Sequence, residues 1–124
     1  MSYYEKIKDL YDMLGQGQLL DAFDKYYHED CQMQENNEAP RVGKATNRKA
    51  EQEFLASVKE WHDGGYTSIT ANEETGVTAV ETWMDVTFQD GNRVKMDQVA
   101  VQHWQGDQII KERFYYNMPG GGEK

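Results

Sequence analysis

The chain is poor in several things, and each scarcity removes a class of function. Its one cysteine, Cys31, rules out an internal disulfide framework and suits a reducing compartment. Its 13 Lys and Arg are outnumbered by 22 Asp and Glu, giving a formal net charge of −9 with no basic cluster. Nucleic acid and anionic membrane surfaces attract basic patches, so neither is expected as a partner. No apolar run approaches the roughly 20 residues of a membrane helix. Met1-Ser2-Tyr3-Tyr4-Glu5-Lys6 lacks the apolar core of a signal peptide, so the expected location is cytoplasmic. A glycine-rich phosphate loop, a nucleophile elbow and a dinucleotide fingerprint are all missing, and no cofactor is expected. His28-Glu29-Asp30-Cys31 are metal-ligand types, but consecutive residues cannot all point at one ion, so no metal is expected either.

What is present fits one α+β domain. At 124 residues the chain has the length of a single unit. Only 38% of it is hydrophobic, so three Trp, eight Tyr and four Phe must fill much of the core. Tyr3/Tyr4, Ile7, Leu10/Tyr11 and Leu14 recur at helical spacing, and Gly15 and Gly17 end that helix. Leu19/Leu20, Phe23 and Tyr26/Tyr27 make a second helix that stops near His28. Cys31 to Glu35 alternate as a short strand, and Asn36 to Gly43 read as a loop. Ala50, Phe54, Val58 and Trp61 predict a third helix from Thr46 or Asn47 to His62, closed by Gly64-Gly65. From Tyr66 the period becomes two. Tyr66–Asn72, Val77–Phe88, Arg93–Trp104 and Gln108–Tyr116 predict four antiparallel strands, with turns at Asp90-Gly91 and Gly106-Asp107. Residues 1–117 form the expected domain and 118–124 a disordered tail.

Treating both turns as two-residue loops sets a register. Met84 then faces Asp97, Asp97 faces Tyr116, Val99 faces Phe114, Val101 faces Glu112 and His103 faces Ile110. The face holding Val80, Met84 and Val86 is the apolar one and should receive the helices. On it this register places Asp97, Val99, His103, Glu112, Phe114 and Tyr116. A carboxylate there would be desolvated and its pKa raised, which makes Asp97 the leading candidate acid/base. Tyr116 and His103 are candidates to orient a substrate oxygen. Met84, Val99, Phe114, Glu112, Glu35, Tyr27 and Trp61 are candidates to line the pocket. The opposite face, with Trp83, Trp104 and Tyr115, suits contact with a second copy.

The order of elements resembles the cone-shaped fold of the nuclear transport factor 2-like superfamily. Trp104-Gln105-Gly106-Asp107-Gln108-Ile109-Ile110-Lys111-Glu112 onward resembles the closing hairpin of its SnoaL-like, polyketide cyclase-like branch. The resemblance implies helices packed on a curved mixed, mainly antiparallel sheet around a pocket for a small apolar or cyclic molecule. It also implies homodimers paired through the open sheet face. SnoaL-type cyclases carry an acid/base aspartate on the strand before that hairpin, and Asp97 lies similarly. Ala39-Pro40-Arg41-Val42-Gly43 resembles a loop of ketosteroid isomerases, whose base would fall at Gln34. An amide cannot abstract a proton, so a base there requires Glu35 to turn inward. The expected function is therefore cofactor-independent isomerisation, cyclisation or hydrolysis. A non-catalytic ligand-binding domain and a dimerisation module are the alternatives.

Overall fold

A computed structural model describes residues 1–117, so the expected tail lies outside the described residues. Helix α1 (Tyr3–Gly15) starts at a capping box: Ser2 Oγ accepts from the Glu5 amide, and Glu5 Oε1 accepts from the Ser2 amide. The Glu73 carboxylate accepts from the Tyr3 and Tyr4 amides, placing negative charge at the helix's positive end. Helix α2 (Leu19–Tyr26) leads straight into strand β1 (Tyr27–Glu35). A two-residue strand β2 (Arg41–Val42) precedes α3 (Lys44–Ser57). Then come β3 (Val58–Asn72), β4 (Val77–Phe88), β5 (Arg93–Gln105) and β6 (Gln108–Tyr116).

The six strands form one sheet in the order β2-β1-β6-β5-β4-β3, antiparallel except where β1 runs parallel to β6. The helices cover one face. Ile7, Leu10 and Tyr11 of α1 and Ala22, Phe23 and Tyr26 of α2 pack with Met33, Val80, Trp104 and Ile109 of the sheet. Their burial, at roughly 25 cal/mol per Å² of apolar surface, is the main force closing the layers.

The third helix is shorter than its periodicity predicts. It ends at Ser57, whose hydroxyl donates to the Phe54 carbonyl, and the chain extends at Val58 without a turn. Val58 and Trp61 therefore belong to β3, and Gly64-Gly65 lie within that strand rather than capping a helix. Register irregularities after Val58, Trp61 and Tyr66 bend β3.

The sheet register corrects the expected faces. Asp90-Gly91 is not a two-residue loop. The Phe88 amide donates to the Asn92 carbonyl and the Gly91 amide to the Phe88 carbonyl, so Gln89, Asp90 and Gly91 form a three-residue loop. Gly91 sits in it at φ 91°, the left-handed position such loops give to glycine. One extra loop residue slides β5 by one place and turns all its side chains over. Met84 thus faces Met96, Trp83 faces Asp97, and Gln98, Ala100, Gln102 and Trp104 point inward. Asp97, Val99 and His103 point outward and are exposed. Trp104 is buried, so of the three aromatics expected on the outer face only Trp83 and Tyr115 remain there.

The Gly106-Asp107 turn does have two residues, with Gln105 facing Gln108, but the register shifts between His103 and Trp104. Ile110 is the bulged residue: Trp104 faces Ile109 and His103 faces Lys111. This second slip cancels the first for β6. Glu112, Phe114 and Tyr116 therefore face inward as predicted, although the strand between them and β4 is inverted.

This register is testable by thiol chemistry. In Asp97→Cys the new thiol should react with a maleimide within about tenfold of an unstructured thiol, because its face is open to water. Cys31, 0% exposed, should react only on unfolding. Protection of the new thiol would contradict the register.

Candidate functional site

Three elements aim polar side chains at one space under the helices. Near its end β1 alternates Cys31 and Met33, both buried, with Glu35 on the same side. Strand β6 contributes Glu112, Phe114 and Tyr116. Helix α3 turns Asn47, Ala50, Glu51 and Phe54 inward, the spacing of one helical face. The pocket they border, open to solvent on one side, measures about 1060 Å³; Glu35, Arg41, Glu51, Glu112 and Tyr116 lie on a largely apolar wall that Lys59, His62 and Asp63 also line. Trp61 and Leu55, 50% and 38% exposed, stand where it meets solvent.

Glu112 is the most deeply placed carboxyl, 1% exposed. Tyr27 Oη donates to its Oε1, and Gln102 Nε2 donates to its Oε2 at 2.7 Å. Thr78 Oγ1 donates to Gln102 Oε1 at 2.7 Å, and Trp104 Nε1 donates to Thr78 Oγ1 at 2.9 Å. Burial pushes the Glu112 carboxyl up to about 7, against the pull of its two hydrogen bonds. Burial likewise raises the Tyr27 hydroxyl well above the ordinary tyrosine value, and Glu112 adds to the effect.

Glu35 is held differently. Tyr116 Oη donates to its Oε1 at 2.7 Å, and Arg41 Nη2 donates to its Oε2 at 3.2 Å. Asn47, fully buried, fixes the arginine: its Oδ1 accepts from Arg41 Nε, while its Nδ2 donates to the carbonyls of Arg41 and Gly43. The Gln34 amide faces away and donates to the Glu38 carbonyl. Glu35, not Gln34, is therefore the residue that β1 presents to the pocket.

Glu51 has no such support, since no described residue hydrogen-bonds to its carboxyl. Burial raises it to about 7; Glu35 adds to that rise and the Arg41 charge opposes it. A carboxyl that is half protonated near neutrality, unpaired and beside an apolar cavity can both give and take a proton.

Of the residues singled out in the sequence, Tyr27, Glu35, Trp61, Met84, Glu112, Phe114 and Tyr116 lie on this pocket, while Asp97, Val99 and His103 do not. Sequence reasoning missed Glu51, Arg41 and Gln102. The signal for Glu51 was available: positions 47, 50, 51 and 54 share the inward face of α3, and a glutamate there is anomalous. Gln102 was hidden by the loop at Gly91.

These features define a class, the cone-like α+β domains that close helices over a curved sheet around a pocket. The chain belongs to the SnoaL-like domain family, whose model matches residues 1–116. It is similar to a candidate SnoaL-like polyketide cyclase from Mesorhizobium loti, whose name also carries the words carbohydrate phosphatase. The two are 31% identical over 94% of this chain and 100% of that one, with a TM-score of 0.83. A candidate polyketide cyclase from Pseudomonas putida has the same fold at 16% identity, TM-score 0.80, covering 96% and 94% of the two chains. So does an uncharacterised cystatin-fold protein from Novosphingobium aromaticivorans, at 20% identity and TM-score 0.77 over 93% and 98%. No curated protein matches the chain.

The raised carboxyls make stability fall with pH. A carboxyl whose folded pKa exceeds its unfolded one stabilises the fold while protonated, and loses that contribution as pH rises through the folded value. With Glu51 and Glu112 at about 7 against 4.5, the loss begins near the lower value and is nearly complete above the higher one. From about pH 5 to about pH 7.5 each carboxyl removes up to roughly 2 kcal/mol. Urea unfolding should show this decline in the wild type and about half of it in Glu112→Gln. An unchanged decline in the variant would contradict the assignment.

Proposed function

We propose that this protein binds a small, largely apolar, ring-bearing carbonyl compound and moves a proton on it without a cofactor, with Glu51 as the acid/base. The observation that carries this reading is the Glu51 carboxyl, unpaired among the described residues and raised to about 7 on the wall of an apolar pocket. The role expected for Asp97 passes to Glu51, because Asp97 lies on the opposite face of the sheet.

As a carboxylate, Glu51 removes a proton from the carbon next to the carbonyl. The C–H electron pair moves into a new C=C bond, and negative charge forms on the carbonyl oxygen. Returning the proton at another position completes an isomerisation; alternatively the enolate carbon bonds to a second carbonyl carbon, and the alkoxide so formed takes the proton from Glu51 to complete a ring closure. Near neutral pH both protonation states of Glu51 are populated, as a group that first accepts and then donates requires. Membership of a family that includes candidate polyketide cyclases supports this substrate class, and the 1060 Å³ pocket is large enough for several fused rings.

Binding without turnover is the second reading. In its favour, Glu35 and Glu112 each have both carboxyl oxygens already hydrogen-bonded, leaving Glu51 as the one of these three glutamates that accepts no hydrogen bond among the described residues.

Proton exchange separates the two. In deuterated buffer with a panel of cyclic ketones and diketones, mass spectrometry should show protein-accelerated deuterium uptake beside the carbonyl. Glu51→Gln should lower that rate by about 100-fold or more, and Asp97→Asn should leave it within twofold or so. A panel member that raises the melting temperature but exchanges no faster than in buffer would support binding alone and end the enzymatic proposal.

A further inference from the structure

The polar chain behind Glu112 has a direction. Indole Nε1 can only donate, so Thr78 Oγ1 must accept from Trp104. Thr78, 1% exposed, has one hydrogen of its own, and the acceptor in reach is Gln102 Oε1 at 2.7 Å. An amide with its oxygen so engaged turns its NH₂ the other way, toward Glu112 Oε2. That oxygen receives a hydrogen and, among the described residues, has no acceptor to which a proton of its own could be given. The remaining oxygen, Oε1, is the one bonded to Tyr27.

We propose that Trp104 and Thr78 are positioning residues, whose one-way hydrogen-bond chain locks the Gln102 amide and thereby confines the Glu112 proton to Oε1. With the proton there, Glu112 donates to Tyr27 Oη, and the tyrosine's own hydrogen is released from the carboxyl. Tyr27 and Glu112 both line the pocket, so that hydrogen can turn to a ligand oxygen. Trp104 lies at the far end of the chain, packed against the rings of Tyr3 and Tyr26, with its indole 5.7 and 5.8 Å from them. A residue outside the pocket therefore decides which oxygen within it carries a proton. No covalent bond is made or broken: the proton stays on Glu112 Oε1, and only the Tyr27 O–H turns from the carboxyl toward the ligand.

The placement of the proton rests on geometry alone. Its usefulness to a ligand rests on the proposed function, and the test keeps the two apart by reading the carboxyl itself. The groups facing Glu112 are Tyr11 from α1, Tyr27, Cys31 and Glu35 from β1, and Glu51 from α3. Its titration, followed by carbon-13 NMR of side-chain carboxyls on the ligand-free protein, is read against an unchanged set of these neighbours.

Trp104→Phe keeps an aromatic ring but removes the donor. Thr78→Val keeps the shape but removes the hydroxyl, and Thr78→Ser restores it. In the first two variants the Gln102 amide can reverse and accept a proton from Glu112 Oε2. The protonated form then gains a partner, and the Glu112 midpoint should rise by about one pH unit. Thr78→Ser should titrate as the wild type does. A midpoint that is unchanged or lowered in both Trp104→Phe and Thr78→Val would overturn the proposal. So would a Thr78→Ser midpoint that moves with that of Thr78→Val, because packing rather than the hydroxyl would then be responsible. If Trp104→Phe fails to fold, the two Thr78 variants decide the matter alone. Absence of deuterium exchange in every variant would count against the proposed function and leave this result standing.

Discussion

Everything distinctive about this domain depends on taking carboxyl groups out of water. A charged carboxylate in an apolar interior is costly unless it is paired or its proton is retained. The fold answers this cost in three ways within one pocket. Glu35 keeps a cation, Arg41, and a tyrosine hydroxyl. Glu112 receives two neutral donors and is pushed to about 7. Glu51 receives no hydrogen bond among the described residues and reaches about 7 through burial. One ion-paired, one held by neutral donors and one without a hydrogen-bond partner among the described residues, the three carboxyls form a graded set.

The sheet is what makes that gradation possible. Strand β6 holds Glu112 between Gln102 of β5 on one side and β1, where Met33 is opposite, on the other. Tyr27 enters at the start of β1 because α2 joins the strand without a loop, and the Phe23 ring stacks on it at 4.5 Å. Glu51 is held by α3, whose first turn is anchored through Asn47 to the Arg41–Gly43 segment. Burial, not hydrogen bonding, is what raises Glu112 and Glu51.

Much of this was legible in the sequence, and the failures are local. Helical spacing marked α1 and α2, and alternation marked β4, β5 and β6. Inward placement of Glu112, Phe114 and Tyr116 followed from that alternation. Asp97 failed as a buried residue for one reason: Asp-Gly serves both two-residue and three-residue loops, and the choice inverts a whole strand. The bulge at Ile110 left no comparable mark, since a run of two isoleucines satisfies either face. The end of α3 was unreadable because Val58 and Trp61 fit a helical stripe as well as a strand. Glu51 was overlooked because a charged residue in a helix is ordinarily taken as solvated, although its position placed it among inward-facing neighbours.

A pocket of this make should hold Glu51 as a carboxyl poised at neutrality. The most direct measurement is the carbon-13 NMR titration of its side-chain carboxyl carbon, assigned by the resonance missing from Glu51→Gln. The expected midpoint is about 7, where burial places it. A midpoint near the ordinary 4.5 would mean that water reaches the group freely, and the acid/base role would fall with it.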